Sequence, residues 1–214
     1  MQVLELILER GLEHQQKAVD AIISALNGIT MIKPYLAYEN PTFDRKEKRL
    51  EQNIKDVQEN IRADYQGCLD DGDYLNLDIK METGTGKTYV YTQTIYEMHK
   101  KFGFNKFIIA VPSLPIKAGI SQFIGDGYVK HHFSDTCGYN CDIELGILES
   151  VKKKKKGFLA MPPAVRDFVT GSFQNSNKIY VLLVNMQLLT NGNMLTRSDY
   201  DYLVEGFYRP FDAL

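Results

Sequence analysis

The chain has little cysteine, no surplus of either charge and no long apolar run. Only three cysteines, Cys68, Cys137 and Cys141, stand among 214 residues. That is too few for a disulfide framework, so a reduced cytoplasmic setting is expected. Lys and Arg number 25 against 27 Asp and Glu, a formal net charge of -2. The chain as a whole is therefore no basic sheath for nucleic acid, and polyanion binding would have to come from a local patch. No uncharged stretch reaches the roughly 20 residues of a membrane span. The opening MQVLELILERGLEHQQ lacks the basic lead and apolar run of a signal peptide. There is no internal repeat and no Ser-His-Asp or Cys-His arrangement. No glutamate pair suggests glycosidase chemistry, and the scattered tyrosines and phenylalanines form no RNA-binding signature.

What is present is an ordinary globular composition, 44% hydrophobic, at a length that suits one α/β domain with at most a small appendage. Ala18, Ile22, Ala25 and Leu26 recur at helical spacing over residues 13–27, with Gly28 as a stop. A second helix is expected from about Asp44 to Tyr65, with Leu50, Ile54, Val57 and Ile61 as its narrow apolar stripe. YLNLDIKM alternates, placing Leu75, Leu77, Ile79 and Met81 on one face of an expected strand. KTYVYTQTIYEMHKKFG then aligns Tyr91, Ile95, Met98 and Phe102 on one side of a helix closed by Gly103. KFIIAVP, from Lys106 to Pro112, and KIYVLLVN, from Lys178 to Asn185, read as strands buried on both faces, with a helix over SLPIKAGISQFI after the first. Strand, helix, strand, helix, strand implies a parallel sheet with helices on both faces. Residues from about 126 to 177 break this rhythm. They read as an insertion with a basic loop, followed by a short helix opened by Pro162–Pro163. The apolar, aromatic ending GFYRPFDAL suggests a chain cut from something longer.

The chemistry concentrates in METGTGKT, Met81 to Thr88. A strand feeding a glycine loop feeding a helix is the setting a phosphate-binding loop needs. Backbone N–H groups from Gly84 to Thr88 can converge on the β- and γ-phosphates at a helix N-terminus. Lys87 supplies a point charge and the Thr88 hydroxyl a ligand for Mg²⁺. Gly84 and Gly86 let the backbone turn and approach an anion with no Cβ in the way. Met81 stands where a small residue is usual, but it precedes the phosphate contacts. The expected set is Thr83, Gly84, Thr85, Gly86, Lys87 and Thr88 for the nucleotide, with Lys87 and Thr88 as the catalytic pair.

Two other constellations compete with plainer readings. Cys137 and Cys141, spaced C-x₃-C behind His131 and His132, could be part of a zinc cluster. They lack the doubled spacing of a zinc ribbon, so free thiols are the expectation. Lys152, Lys153, Lys154, Lys155 and Lys156 form an unbroken run, which is ordinarily a solvated loop.

METGTGKTYVYTQTIYEMHKKFGFNKFIIAVPSLPIKAGI resembles the ATPase region of the restriction (Res) subunit of type III restriction–modification enzymes, superfamily 2 helicase-like proteins. The resemblance runs from the glutamine segment near the N-terminus to the end of the chain and is strongest from Asp78 to Gly119. It implies a P-loop NTPase of RecA-like fold: a helical N-terminal segment over residues 1–70, then the front part of the first motor domain over 71–214. It also implies ATP and Mg²⁺ as cofactors, duplex DNA as substrate, and a modification methyltransferase (Mod) as partner.

Particular residues acquire roles from the resemblance. HQQKAVDAI offers Gln15, ahead of Gln16, as the glutamine that reads the adenine edge, since an amide can donate and accept at once. VPSLPIKAG stands in the place of a motif that touches a nucleic-acid backbone, with Ser113 and Lys117 as candidates. Asn185 and Gln187 follow the last buried strand, where ligands of open α/β sheets gather. The lysine run could hold DNA phosphates. One departure is large: the acidic Asp-Glu-x-His motif that handles metal and water in this family is absent. The second motor domain and the nuclease are absent too. The fragment is thus expected to bind nucleotide more readily than it hydrolyses it. Another superfamily 2 translocase or helicase, or a nucleotide-gated scaffold for the methyltransferase, are the alternatives.

Overall fold

The computed structural model describes residues 8–61, 75–149, 162–172 and 177–190. In chain order the first elements are α1 (Glu13–Ala25), the two-residue strands β1 (Met31–Ile32) and β2 (Thr42–Phe43), and α2 (Lys48–Asn60). Next come α3 (Lys87–Phe102), β3 (Lys106–Val111), α4 (Leu114–Gly125) and α5 (Gly127–His131), with a π-helical turn over His132–Thr136. β4 (Asp142–Ile147), α6 (Pro163–Thr170), β5 (Lys178–Asn185) and α7 (Met186–Thr190) complete the order.

β3, β5 and β4 form a parallel sheet in that order, with Lys106 opposite Tyr180 and Asp142 opposite Lys178. β5 lies at its centre, and its sequence explains the layers. Side chains alternate across a strand, so Ile179, Val181 and Leu183 enter one core while Leu182 and Val184 enter the other. The first core is closed by Tyr89, Ile95 and Tyr96 of α3, Ile120 and Ile124 of α4, and the aromatic pair Phe133 and Tyr139. The second is closed by Val165, Phe168 and Val169 of α6. Helices on both faces of a parallel sheet are the RecA-like arrangement expected of the sequence.

α3 is the central helix, and it is buried on two sides. Tyr89, Ile95 and Tyr96 face the sheet core, while Val90 packs with Val19 and Ile23 of α1. The expected stripe of Tyr91, Ile95, Met98 and Phe102 is therefore split between neighbours. Gly103, with φ of 79°, ends the helix in the left-handed conformation. α2 begins at Lys48, later than expected; Leu50 and Ile54 are buried against α1, but Ile61 is 61% exposed. Asn40 fastens the early segment to the sheet: its Oδ1 accepts from the backbone N–H of Asn105 and Lys106, both at 3.0 Å, and its Nδ2 donates to Lys106 O at 2.8 Å.

Two expectations need correcting. The strand over YLNLDIKM is not formed: residues 75–82 carry no regular structure. A strand exists through its ladder, and among the described residues none pairs with this segment. Leu75 and Leu77 rest on the Leu50 cluster and Met81 on the Val19 cluster, while Ile79 is 41% exposed. Conversely, the segment read as an insertion holds β4, a full member of the sheet. Its alternation of Ile143, Leu145 and Ile147 was the available signal. Proline at the first turn opens α6 as expected.

Candidate nucleotide-binding site

Gly84 and Gly86 both adopt positive φ, 84° and 85°, and Gly86 is the residue from which α3 departs. The loop folds on its own carbonyls. Glu82 O accepts from the Thr85 hydroxyl at 2.7 Å and from Lys87 Nζ at 2.5 Å. Lys87 is exposed, so its ammonium is held on the loop by a contact that an anion can replace. The N–H groups of the first turn of α3 have no carbonyl a turn earlier, and the helix dipole adds positive potential there. A Cβ built at Gly84 meets nothing within 4 Å, which leaves that side of the loop open.

α1 supplies the other wall. Gln15 is only 7% exposed, and its Nε2 donates to Thr85 O at 3.1 Å. A carbonyl can only accept, so the amide nitrogen must face Thr85. The opposite atom, Gln15 Oε1, is buried with no partner among the described residues. An orphaned acceptor beside a glycine loop suits a ligand that brings a donor, as an adenine amino group does. A Cβ at Gly86 would lie 2.3 Å from Gln15 Nε2, so glutamine and glycine are matched. Gln16 points elsewhere: it donates to Asp20 Oδ1 at 2.9 Å and accepts from Gln93 Nε2 at 3.5 Å. His14 was not singled out from the sequence, yet its Nε2 lies 3.0 Å from Thr85 O. Its only sequence signal was its place beside Gln15.

Behind the loop, Tyr89 Oη lies 2.9 Å from His132 Nε2 and 3.8 Å from Cys137 Sγ. Burial raises the Tyr89 pKa and lowers that of His132, so both are neutral. Cys137 and Cys141 are free thiols. His131 faces Asp135 at 3.6 Å rather than His132's partners. Among the described residues no three His, Cys, Asp or Glu side chains gather as a metal site requires.

The remaining candidates separate. Ser113 precedes α4 with extended backbone and no capping bond from its side chain. Lys117 is buried, and its ammonium donates to Leu148 O, tying α4 to the end of β4. In this arrangement its charge is not offered to a phosphate. Asn185 is buried and its Oδ1 accepts from Gln187 N at 2.9 Å, starting α7; Gln187 itself is exposed. Lys152, Lys153, Lys154, Lys155 and Lys156 lie outside the described residues, as do Cys68 and the final GFYRPFDAL. No described helix is long and apolar enough to cross a membrane.

A parallel sheet flanked by helices, with a glycine loop opening the central helix, defines a P-loop NTPase of RecA-like type. The sequence profile of the family described as "Type III restriction enzyme, res subunit" matches residues 10–204, and the chain belongs to that family. It is 37% identical over 211 residues to the EcoPI Res subunit of Escherichia phage P1, covering 96% of this chain and 22% of that protein. It is 36% identical over 217 residues to the EcoP15I Res subunit of Escherichia coli, covering 97% of this chain and 22% of that protein. The StyLTI Res subunit of Salmonella typhimurium is 36% identical over 214 residues, again 97% of this chain and 19% of the relative. The chain thus spans about a fifth of the length of these curated relatives. Its place among them is that of a helicase-like motor domain.

Proposed function

We propose that this chain binds ATP or ADP with Mg²⁺ as part of a Res subunit. In the whole protein, hydrolysis would be coupled to translocation or switching on duplex DNA before cleavage. One juxtaposition carries this reading: the glycine loop opens α3 at the place where Gln15 holds a buried carbonyl with no partner among the described residues. Gly84 and Gly86 give the backbone room, Lys87 would exchange the Glu82 carbonyl for phosphate oxygens, and the Thr88 hydroxyl would be a ligand for Mg²⁺. Thr83 and Thr85 complete the loop, and Gln15 meets the adenine edge. Bound Mg²⁺·ATP supplies a γ-phosphoryl group whose transfer to water releases the free energy a motor uses.

The names of the relatives support the wider reading, since all three are Res subunits of type III restriction-modification enzymes. On it, residues 1–70 carry the glutamine, residues 71–214 are the front of the first motor domain, and a Mod methyltransferase supplies sequence recognition in the cytoplasm. Ser113, with its hydroxyl unused for capping, is the better backbone-contact candidate of its pair. The lysine run would add sequence-independent phosphate contacts, each weakening log affinity by about 0.9 per decade of salt.

Calorimetric titration with Mg·ADP tests the central claim. Lys87→Ala is expected to weaken binding by at least about tenfold, one charged contact of roughly 1.5–3 kcal/mol. The unfolding temperature should not change, because the ammonium touches only the loop. Equal affinity in the two proteins would remove Lys87 from the site.

A further inference from the structure

We infer that His14 is a positioning residue of the phosphate loop, fixing the direction of the Thr85–Gly86 peptide. The inference rests on the nucleotide reading above and extends it to a side chain of α1. Thr85 O receives two donors at once, His14 Nε2 at 3.0 Å and Gln15 Nε2 at 3.1 Å. Since the partner is a carbonyl, Nε2 must carry the imidazole proton. A carbonyl oxygen has two lone pairs, and two donors occupy both. Its direction is then set from α1.

The consequence falls on the other end of the same peptide. None of the described peptide bonds is cis. In a planar trans peptide the C=O and the N–H point in opposite directions. With Thr85 O drawn to α1, the Gly86 N–H faces away from α1, toward the concave side of the loop. Gly86 then turns left-handed, at φ 85° and ψ 36°, so the following N–H groups continue the same curve into α3. Successive N–H groups in such a turn form an anion nest. One bond would leave the peptide free to pivot; two bonds from consecutive residues of one helix hold it.

The division of labour follows from burial. Gln15 is buried and has a second polar atom without a partner among the described residues, so it can serve both loop and ligand. His14 is exposed and contributes the donor alone. Only its N–H matters, and glutamine at position 14 can place an amide Nε2 at nearly the same reach as the imidazole Nε2. Phenylalanine keeps a ring and loses the donor.

The test compares wild type, His14→Phe, His14→Ala and His14→Gln in Mg·ADP titration, with the Gly86 amide followed by ¹⁵N–¹H NMR in the nucleotide-free protein. His14→Phe and His14→Ala should weaken binding about two- to tenfold, the range of one hydrogen bond. Both should also move or broaden the Gly86 resonance. His14→Gln should restore affinity to within about twofold and return the resonance. Unfolding temperatures should agree across the set. Wild-type affinity and an unmoved Gly86 signal in His14→Phe would overturn the positioning role and leave the nucleotide site standing. Failure of His14→Gln to rescue would overturn it as well, by tracing the loss to the ring. Absence of Mg·ADP binding by wild type would overturn the nucleotide reading and this inference together.

Discussion

Gly86 carries two demands. Its φ of 85° lies where an L side chain costs roughly 1–2 kcal/mol, and a Cβ there would sit 2.3 Å from Gln15 Nε2. The demands can be separated by a double-mutant cycle. Gly86→Ala should destabilise the chain by about 2 kcal/mol and disturb the loop. In a Gln15→Ala background the obstacle is gone and only the left-handed strain persists, so the loss should fall to about 1 kcal/mol. Urea unfolding of the four proteins reads both numbers. An equal loss in the two backgrounds would show that Gln15 does not crowd Gly86. Gly84 has the same φ but open space around it, so only conformational strain applies there.

Elements are joined by a few buried polar side chains, and Lys106 is the most exacting of them. It begins β3, yet its Nζ donates to Val169 O of α6 at 2.6 Å and lies over the Phe168 ring at 5.6 Å. Burial lowers its pKa from 10.5 to about 8, only partly offset by Glu39. The unfolded chain therefore binds the proton more tightly than the folded one between those values. Stability should rise with pH from about 8 to about 10.5, by roughly 1–3 kcal/mol. Lys106→Met should abolish this rise. The buried Tyr89, Tyr96 and Tyr139 have raised pKa values and work the other way, their stabilisation being lost as the unfolded tyrosines ionise from about pH 10. The difference between wild type and Lys106→Met in urea unfolding at pH 7.5 and 9.5 isolates the lysine. Parallel curves for the two proteins would show that its amine titrates normally.

For the whole molecule, binding and turnover are expected to come apart. No Asp-Glu pair occurs anywhere in the 214 residues, so the family's acidic metal motif has no counterpart here. An arginine finger supplied from elsewhere can itself matter by ~10³–10⁵ in rate. The 214-residue protein is expected to bind Mg·ADP while showing no DNA-stimulated ATP hydrolysis above a Lys87→Ala control. Phosphate release assays with and without duplex DNA check this. DNA-stimulated turnover that is lost in Lys87→Ala would place complete catalytic machinery within these residues. Among the described residues β3, with the apolar sequence KFIIAV, is an edge strand whose Phe107, Ile108 and Ile109 are only half-buried.

By itself the sequence determined what depends on near neighbours along the chain. The glycine loop, the helices α1 and α3, the strands β3 and β5 and the proline-started α6 are written in short-range spacing and turn chemistry. Gln15 was legible through its spacing to Ala18 and a family likeness. Tertiary structure decided what depends on partners far apart in the chain. Whether residues 75–82 become a strand depends on a ladder that the described residues do not provide. DIELGI became β4 because β5 lay free to pair with it 36 residues on, from Asp142 to Lys178. Lys117 turned inward because Leu148 O was waiting there. His14 meets Thr85 across 71 residues, a contact that α1 packing on α3 creates and no local pattern announces.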